Sequence, residues 1–169
     1  MSTRRARALP VVAAAAAWAG WLVVAPVLAA AAPSRPAAWA AAVTYRAGAV
    51  ICHQQDARSL HVGGVRMPVC ARCFGLYAGG AAGTLLAAGW LFAARRPVSL
   101  PLARSRAAAA VGALPTLAAW AAEHLAGLPV PGPARAAFAI PLGAAVAAIV
   151  TLWAGGATFE DSHRTSKLD

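Results

Sequence analysis

The chain has 169 residues, 60% of them hydrophobic and 12% charged, with a mean hydropathy of +0.63; this lies outside the range of an ordinary soluble domain and puts it in the membrane class. A net charge of +10 would suit a nucleic-acid binder, yet the cations stand in short groups between apolar runs instead of on one basic face, so nucleic acid is excluded as a partner. Fourteen of the fifteen basic residues are arginine and alanine dominates the apolar set, the usage of a GC-rich bacterial genome.

The first apolar stretch, 9–32, follows Arg4, Arg5 and Arg7 and has the layout of a signal peptide. It is longer than a signal core and is read as a retained membrane helix. Three further stretches, 74–94, 107–128 and 136–157, are each long enough to cross about 30 Å of hydrocarbon as a helix of about 20 residues. The sequence therefore predicts a single domain, an all-α integral membrane protein with four transmembrane helices and a Cys/His-containing outward loop over 33–73. Pro115 and Pro141 fall inside two spans, which a bundle tolerates where neighbours satisfy the freed carbonyl. Arginines before the first span, Arg95, Arg96, Arg104 and Arg106 between the second and third, and Arg164 and Lys167 after the fourth place both termini in the cytoplasm of a bacterial inner membrane. Residues 158–169 form a short polar tail, in which His163 has no evident partner.

Within the outward loop, "AAWAAAVTYRAGAVICHQ", residues 37–54, reads as a short helix lying at the membrane interface. It delivers Cys52 and His53 to the membrane surface. Gly63-Gly64 is a turn signal that doubles the chain back, bringing Cys70 and Cys73 towards Cys52. Pro68 suits a first helical turn, so the second span is expected to begin near it. Cys70, Cys73 and Tyr77 then share one side, where the helix N-terminus and Arg72 favour thiolate. Cys52, His53, Cys70 and Cys73 form a Cys₃His set suited to tetrahedral zinc, with His61 as a substitute ligand. A closed four-ligand site is structural. A structural disulfide, with His53 an ordinary loop histidine, is the plain alternative, and two enzyme classes also compete: a membrane thiol oxidoreductase using the Cys-x-x-Cys pair, and a metal-dependent enzyme in which water completes a three-ligand site with Glu123 as base.

"CHQQDARSLHVGGVRMPVCARCFGLYAGGAAG", residues 52–83, resembles the hallmark of a bacterial membrane-protein family known as domain of unknown function 2085, whose pattern runs CHQ, then ERSF, then PVCARCTGIY and spaced glycines. The resemblance implies that Cys52, His53, Gln54, Arg58, Ser59, Pro68, Cys70, Arg72, Cys73, Gly75, Tyr77 and Gly79 are family positions, and it implies no activity. Here Ala57 stands for glutamate, Leu60 for an aromatic residue and Phe74 for threonine.

Around this site, Gly75, Gly79 and Gly83 form a small-residue stripe for close helix packing. Glu123 is an acidic residue inside a span and requires a partner. Arg72 is the expected one, Arg58 the second choice. Adjacent His124 reads as an interfacial polar residue. Exposed small-residue stripes also make a protein partner or homo-oligomer an open expectation, with the lipid bilayer as the certain one.

Overall fold

The computed structural model describes residues 6–31, 34–94 and 97–160. Arg4, Arg5, Arg95, Arg96, His163, Arg164 and Lys167, on which much of the expected orientation rests, lie outside the described residues.

Five helices carry the architecture: α1 (Leu9–Ala31), α2 (Arg35–Ile51), α3 (Ala71–Ala93), α4 (Leu102–His124) and α5 (Gly132–Ala154). Three of them, α1, α3 and α5, are long and apolar enough to cross a membrane. The fourth expected span, α4, is equally long at 23 residues but begins five residues earlier than expected. It thereby takes in Arg104 and Arg106 at one end beside Glu123 and His124 at the other, which dilutes its apolar character. The chain is also not purely α-helical. Strands β1 (Ser59–Val62) and β2 (Val65–Cys70) form an antiparallel hairpin in the loop, and β3 (Ser99–Pro101) pairs in parallel with β4 (Thr158–Glu160). The expected polar tail therefore starts as a strand.

The hairpin also corrects the start of the second span. Gly63 and Gly64 have φ of +57° and +78°, the left-handed pair that a two-residue hairpin turn demands and glycine adopts without a Cβ penalty. Pro68 consequently sits inside β2, fully buried, and α3 begins only at Ala71 with Cys70 as its N-cap. Strand pairing that extends to Ser59 opposite Cys70 outweighs the helix-start preference of the proline.

The bundle is organised by backbone contact between α3 and α5, which run parallel. A Cβ added at Gly75, Gly79 or Gly83 would overlap the carbonyl of Ala136, Ile140 or Ala144 respectively, and one at Gly143 would overlap that of Leu76. Only glycine permits this approach, which brings Cα–H groups against carbonyls along about two helical turns. Antiparallel α4 lies on α5, where Gly112 faces the Pro141 carbonyl. The Thr116 hydroxyl donates to the Phe138 carbonyl at 2.8 Å, which ties α4 to α5 one turn before Pro141. Antiparallel α1 leans on α3, with Trp18 edge-on to Tyr77 at a centroid distance of 5.9 Å.

At the end opposite the cysteines, Ala8, Ala87, Leu91, Leu152 and Ala157 form a small core with β3 and β4 against it. Leu86, Val111, Leu114, Leu117 and Trp153 are more than half exposed. On the candidate spans α3 and α5, the exposed Leu86 and Trp153 suit a lipid-facing surface.

Replacing Gly79 with alanine is expected to force α3 and α5 apart and to lower stability by about 1–3 kcal/mol, the usual penalty for overpacking. Gly89→Ala, where nothing lies within 4 Å of the added methyl, should be neutral or slightly stabilising. Denaturant titration in detergent micelles compares the two.

Candidate metal centre

Helix α2 delivers the first cysteine and is held in place by polar groups on its buried face. Trp21 of α1 donates its indole N–H to Thr44 at 2.6 Å. Tyr45 donates its hydroxyl to the Arg66 carbonyl in β2, and burial pushes its phenol pKa up, against the opposing charge of Arg66, so it stays a donor. Gly48 lets the helix touch β2: a methyl there would run into the Pro68 carbonyl and come within 2.7 Å of the Gln54 amide nitrogen.

Gln54 is the staple of this junction. Its side-chain N–H₂ donates to the carbonyls of Tyr45 and Pro68, each at 2.7 Å, while its own carbonyl accepts from the Arg66 guanidinium. Its backbone is left-handed, with φ of +48°, an arrangement disfavoured for a residue with a Cβ and sustained here by those bonds. The glutamine of the CHQ motif thus fixes where Cys52 points.

Cys52, Cys70 and Cys73 come together, their Sγ atoms all within 4.8 Å of one another. None is in a disulfide. Cys52 ends α2, Cys70 ends β2 and caps α3, and Cys73 lies in the first turn of α3, so three separate elements meet at one point. The backbone N–H of Cys70 donates to Cys52 Sγ at 3.1 Å. Cys52 and Cys70 are buried, packed with Leu22, Met67 and Val69 under a rim of Trp18, Phe74 and Tyr77. The Cys70 thiol is pulled down to about 5, chiefly by hydrogen bonding from Cys73, with Cys52 and the charge of His53 assisting against burial. A pocket of three sulfurs at a helix N-terminus, one of them readily ionised, can hold a soft metal ion. At about 2.3 Å per Zn–S bond, tetrahedral ligands stand about 3.8 Å apart.

The structure brings together three of the four expected ligands. His53 is exposed, and its Nδ1 accepts the Gln55 backbone N–H at 3.1 Å. The reason lies in its neighbour: Cys52 is extended, with φ −146° and ψ 138°, and successive side chains of extended backbone point to opposite sides. The substitute ligand, His61, lies against Asp56 at 3.1 Å in an exposed pair and is likewise outside the cluster.

The supporting residues divide in the same way. Ser59 is buried and donates to the Gln55 carbonyl at 2.8 Å. Arg72 reaches Glu123 at 3.3 Å, as expected. Arg58 makes no side-chain hydrogen bond or ion pair among the described residues; the second partner of Glu123 is Arg135, which sequence reasoning missed. Arg135 also donates to the Ala57 carbonyl at 3.2 Å. Its signal was its place in the first turn of the last helix, twelve residues beyond the carboxylate that required a partner, across a short connection. The Glu123 side chain is only 7% exposed, so this triad ties the ends of α3, α4 and α5 and clamps the loop to the bundle. His124 stacks on Trp120 and donates its Nδ1–H to the Trp120 carbonyl at 2.9 Å.

A family model described as a predicted membrane protein, DUF2085, matches residues 52–149, more than half of the chain. The chain belongs to this family of membrane proteins. An uncharacterized protein of Methanocaldococcus jannaschii is 45% identical over 42 residues, 25% of this chain and 27% of that protein. The match therefore spans about a quarter of either. No solved structure matches.

Glu123→Gln leaves two arginines facing a neutral amide. Removing one member of a buried ion group typically costs about 3–5 kcal/mol, and here the loop is expected to loosen, raising the rate at which a membrane-impermeant maleimide labels the cysteines by about tenfold or more. Gln54→Leu is expected to do the same by freeing the Cys52 segment. Mass spectrometry of timed samples from metal-free protein measures both.

Proposed function

We propose that the protein is a four-span component of the bacterial inner membrane whose outward loop is closed by a structural zinc ion. The observation that carries the reading is the convergence of Cys52, Cys70 and Cys73 from three elements into one apolar pocket. A loop this small gathers little stability from burial, and ligation supplies it directly as folding free energy. Three thiolates would come from the cysteines. His53, next in the chain and on the solvent side, would complete the tetrahedron after a local change at Cys52–Gln54; without that change a solvent oxygen would take the position. The fourth crossing is α4, whose antiparallel packing on α5 and lipid-facing Val111, Leu114 and Leu117 match those of its neighbours. The cytoplasmic placement of both termini rests on the arginine distribution. It agrees with β3 and β4 pairing at the bundle end opposite the cysteines.

A second reading is favoured by one observation. Three unbonded thiols, one of them ionised near neutrality, are also the layout of a thiol oxidoreductase, in which any two could be oxidised to a disulfide by a partner.

Chain purified without chelator is expected to contain about one zinc per chain, and Cys70→Ser to lose most of it. In the wild type, removal of the metal should lower the thermal midpoint and expose the thiols to reagent. Metal-free protein with two of its three thiols oxidised would instead select the redox reading.

A further inference from the structure

Helix α2 is turned inside out. Toward the protein it presents small and polar residues: Ala41, Thr44 and Gly48 are buried, and Thr44 accepts the Trp21 indole N–H at 2.6 Å while donating to the Ala40 carbonyl at 2.9 Å. Away from the protein it presents apolar ones. Trp39 is 71% and Val50 86% exposed, and the exposed Val43 lies between them on the same side. A helix on the surface of a water-soluble protein has the opposite arrangement, so the medium that suits this face is apolar. Val24 and Val27, near the end of α1, are exposed as well. Apolar exposure therefore runs from the end of a candidate span into α2.

The same face carries two cations. Arg35 and Arg46 are exposed and stand eleven residues apart, about three helical turns, so both align with Trp39. Neither makes a side-chain hydrogen bond or ion pair among the described residues, and α2 contains no acidic residue. Arg35 lies in the first turn, where the helix dipole disfavours positive charge. The fold gains nothing from it. The occupant of this face must offer hydrocarbon to Trp39, Val43 and Val50 and negative charge within reach of two long arginine side chains.

A bilayer surface supplies both at once, with phosphates at the level of an interfacial tryptophan and acyl chains just below. A second copy of the chain would bring the same two cations against these. Among phospholipids, a zwitterionic headgroup sets its own ammonium beside the phosphate, so net attraction requires an anionic one. We propose that α2 lies along the leaflet boundary and gathers anionic phospholipids, Arg35 and Arg46 pairing with their phosphates while Trp39, Val43 and Val50 sit among the upper acyl carbons. Interfacial placement is what the sequence leads one to expect; the outward face and its selection of negative headgroups go beyond it. The proposal does not depend on the metal reading, since this face holds none of the three cysteines.

The test uses the full chain in vesicles of mixed phosphatidylglycerol and phosphatidylcholine, one or the other brominated on its acyl chains near the headgroup. Bromine quenches tryptophan at contact, and the difference between wild type and Trp39→Phe isolates the signal of Trp39. Phosphatidylglycerol is expected to be enriched at Trp39 about fivefold or more over its share of the bilayer, and Arg35→Gln combined with Arg46→Gln to return it to the bulk ratio. Both arginines are exposed and unbonded among the described residues, so the double variant keeps the fold. No quenching of Trp39 by either lipid would overturn the proposal and identify a face covered by protein. Quenching by both lipids in proportion to their abundance, or an enrichment that the double variant retains, would overturn it as well.

Discussion

The backbone contact between α3 and α5 is the constraint on which the rest of the molecule depends. Gly75, Gly79, Gly83 and Gly143 remove the side chains that would hold two helices at ordinary separation. With no hydrophobic drive between helices in lipid, this contact and the dispersion it brings supply the association. It sets the two helices parallel and in one register, so the start of α5 lies beside the start of α3. Arg135 and Arg72 thereby arrive on either side of Glu123 at the end of α4.

That register also decides where the loop can sit. Cys70 and Cys73 are fixed by the start of α3, and only Cys52 has to be brought to them. The chain does this through the hairpin and through Gln54, whose amide joins α2 to β2 at the cost of a left-handed backbone. The site is thus held from two sides: hydrogen bonds position Cys52, and the buried triad clamps the loop at Ala57. Few of these interactions are large singly. Thiolate ligation is the one that would join all three elements at a single atom.

Much of this was legible in the residues. The apolar runs gave the long helices, the four-residue glycine spacing gave the packed face, and Cys-x-x-Cys beside Cys52 gave the cluster. The lone carboxylate at Glu123 led to Arg72. What escaped depended on backbone geometry that residue types do not display. Pro68 reads as a helix start but lies in a strand, because the Gly63-Gly64 turn sets a pairing that runs through to Cys70. His53 reads as a ligand by adjacency, yet extended backbone at Cys52 turns it to the other side. Arg135 was overlooked because its partner lies across a turn, a relation fixed by helix packing and invisible to local spacing.

X-ray absorption at the zinc K-edge of the purified wild-type chain tests the central claim most directly, because it counts the atoms bound to the metal. Three sulfur neighbours near about 2.3 Å with one lighter atom near about 2.0 Å is the predicted shell. A shell of oxygen and nitrogen without sulfur, or protein carrying no metal while Cys52, Cys70 or Cys73 is found in a disulfide, would contradict a loop closed by three thiolates.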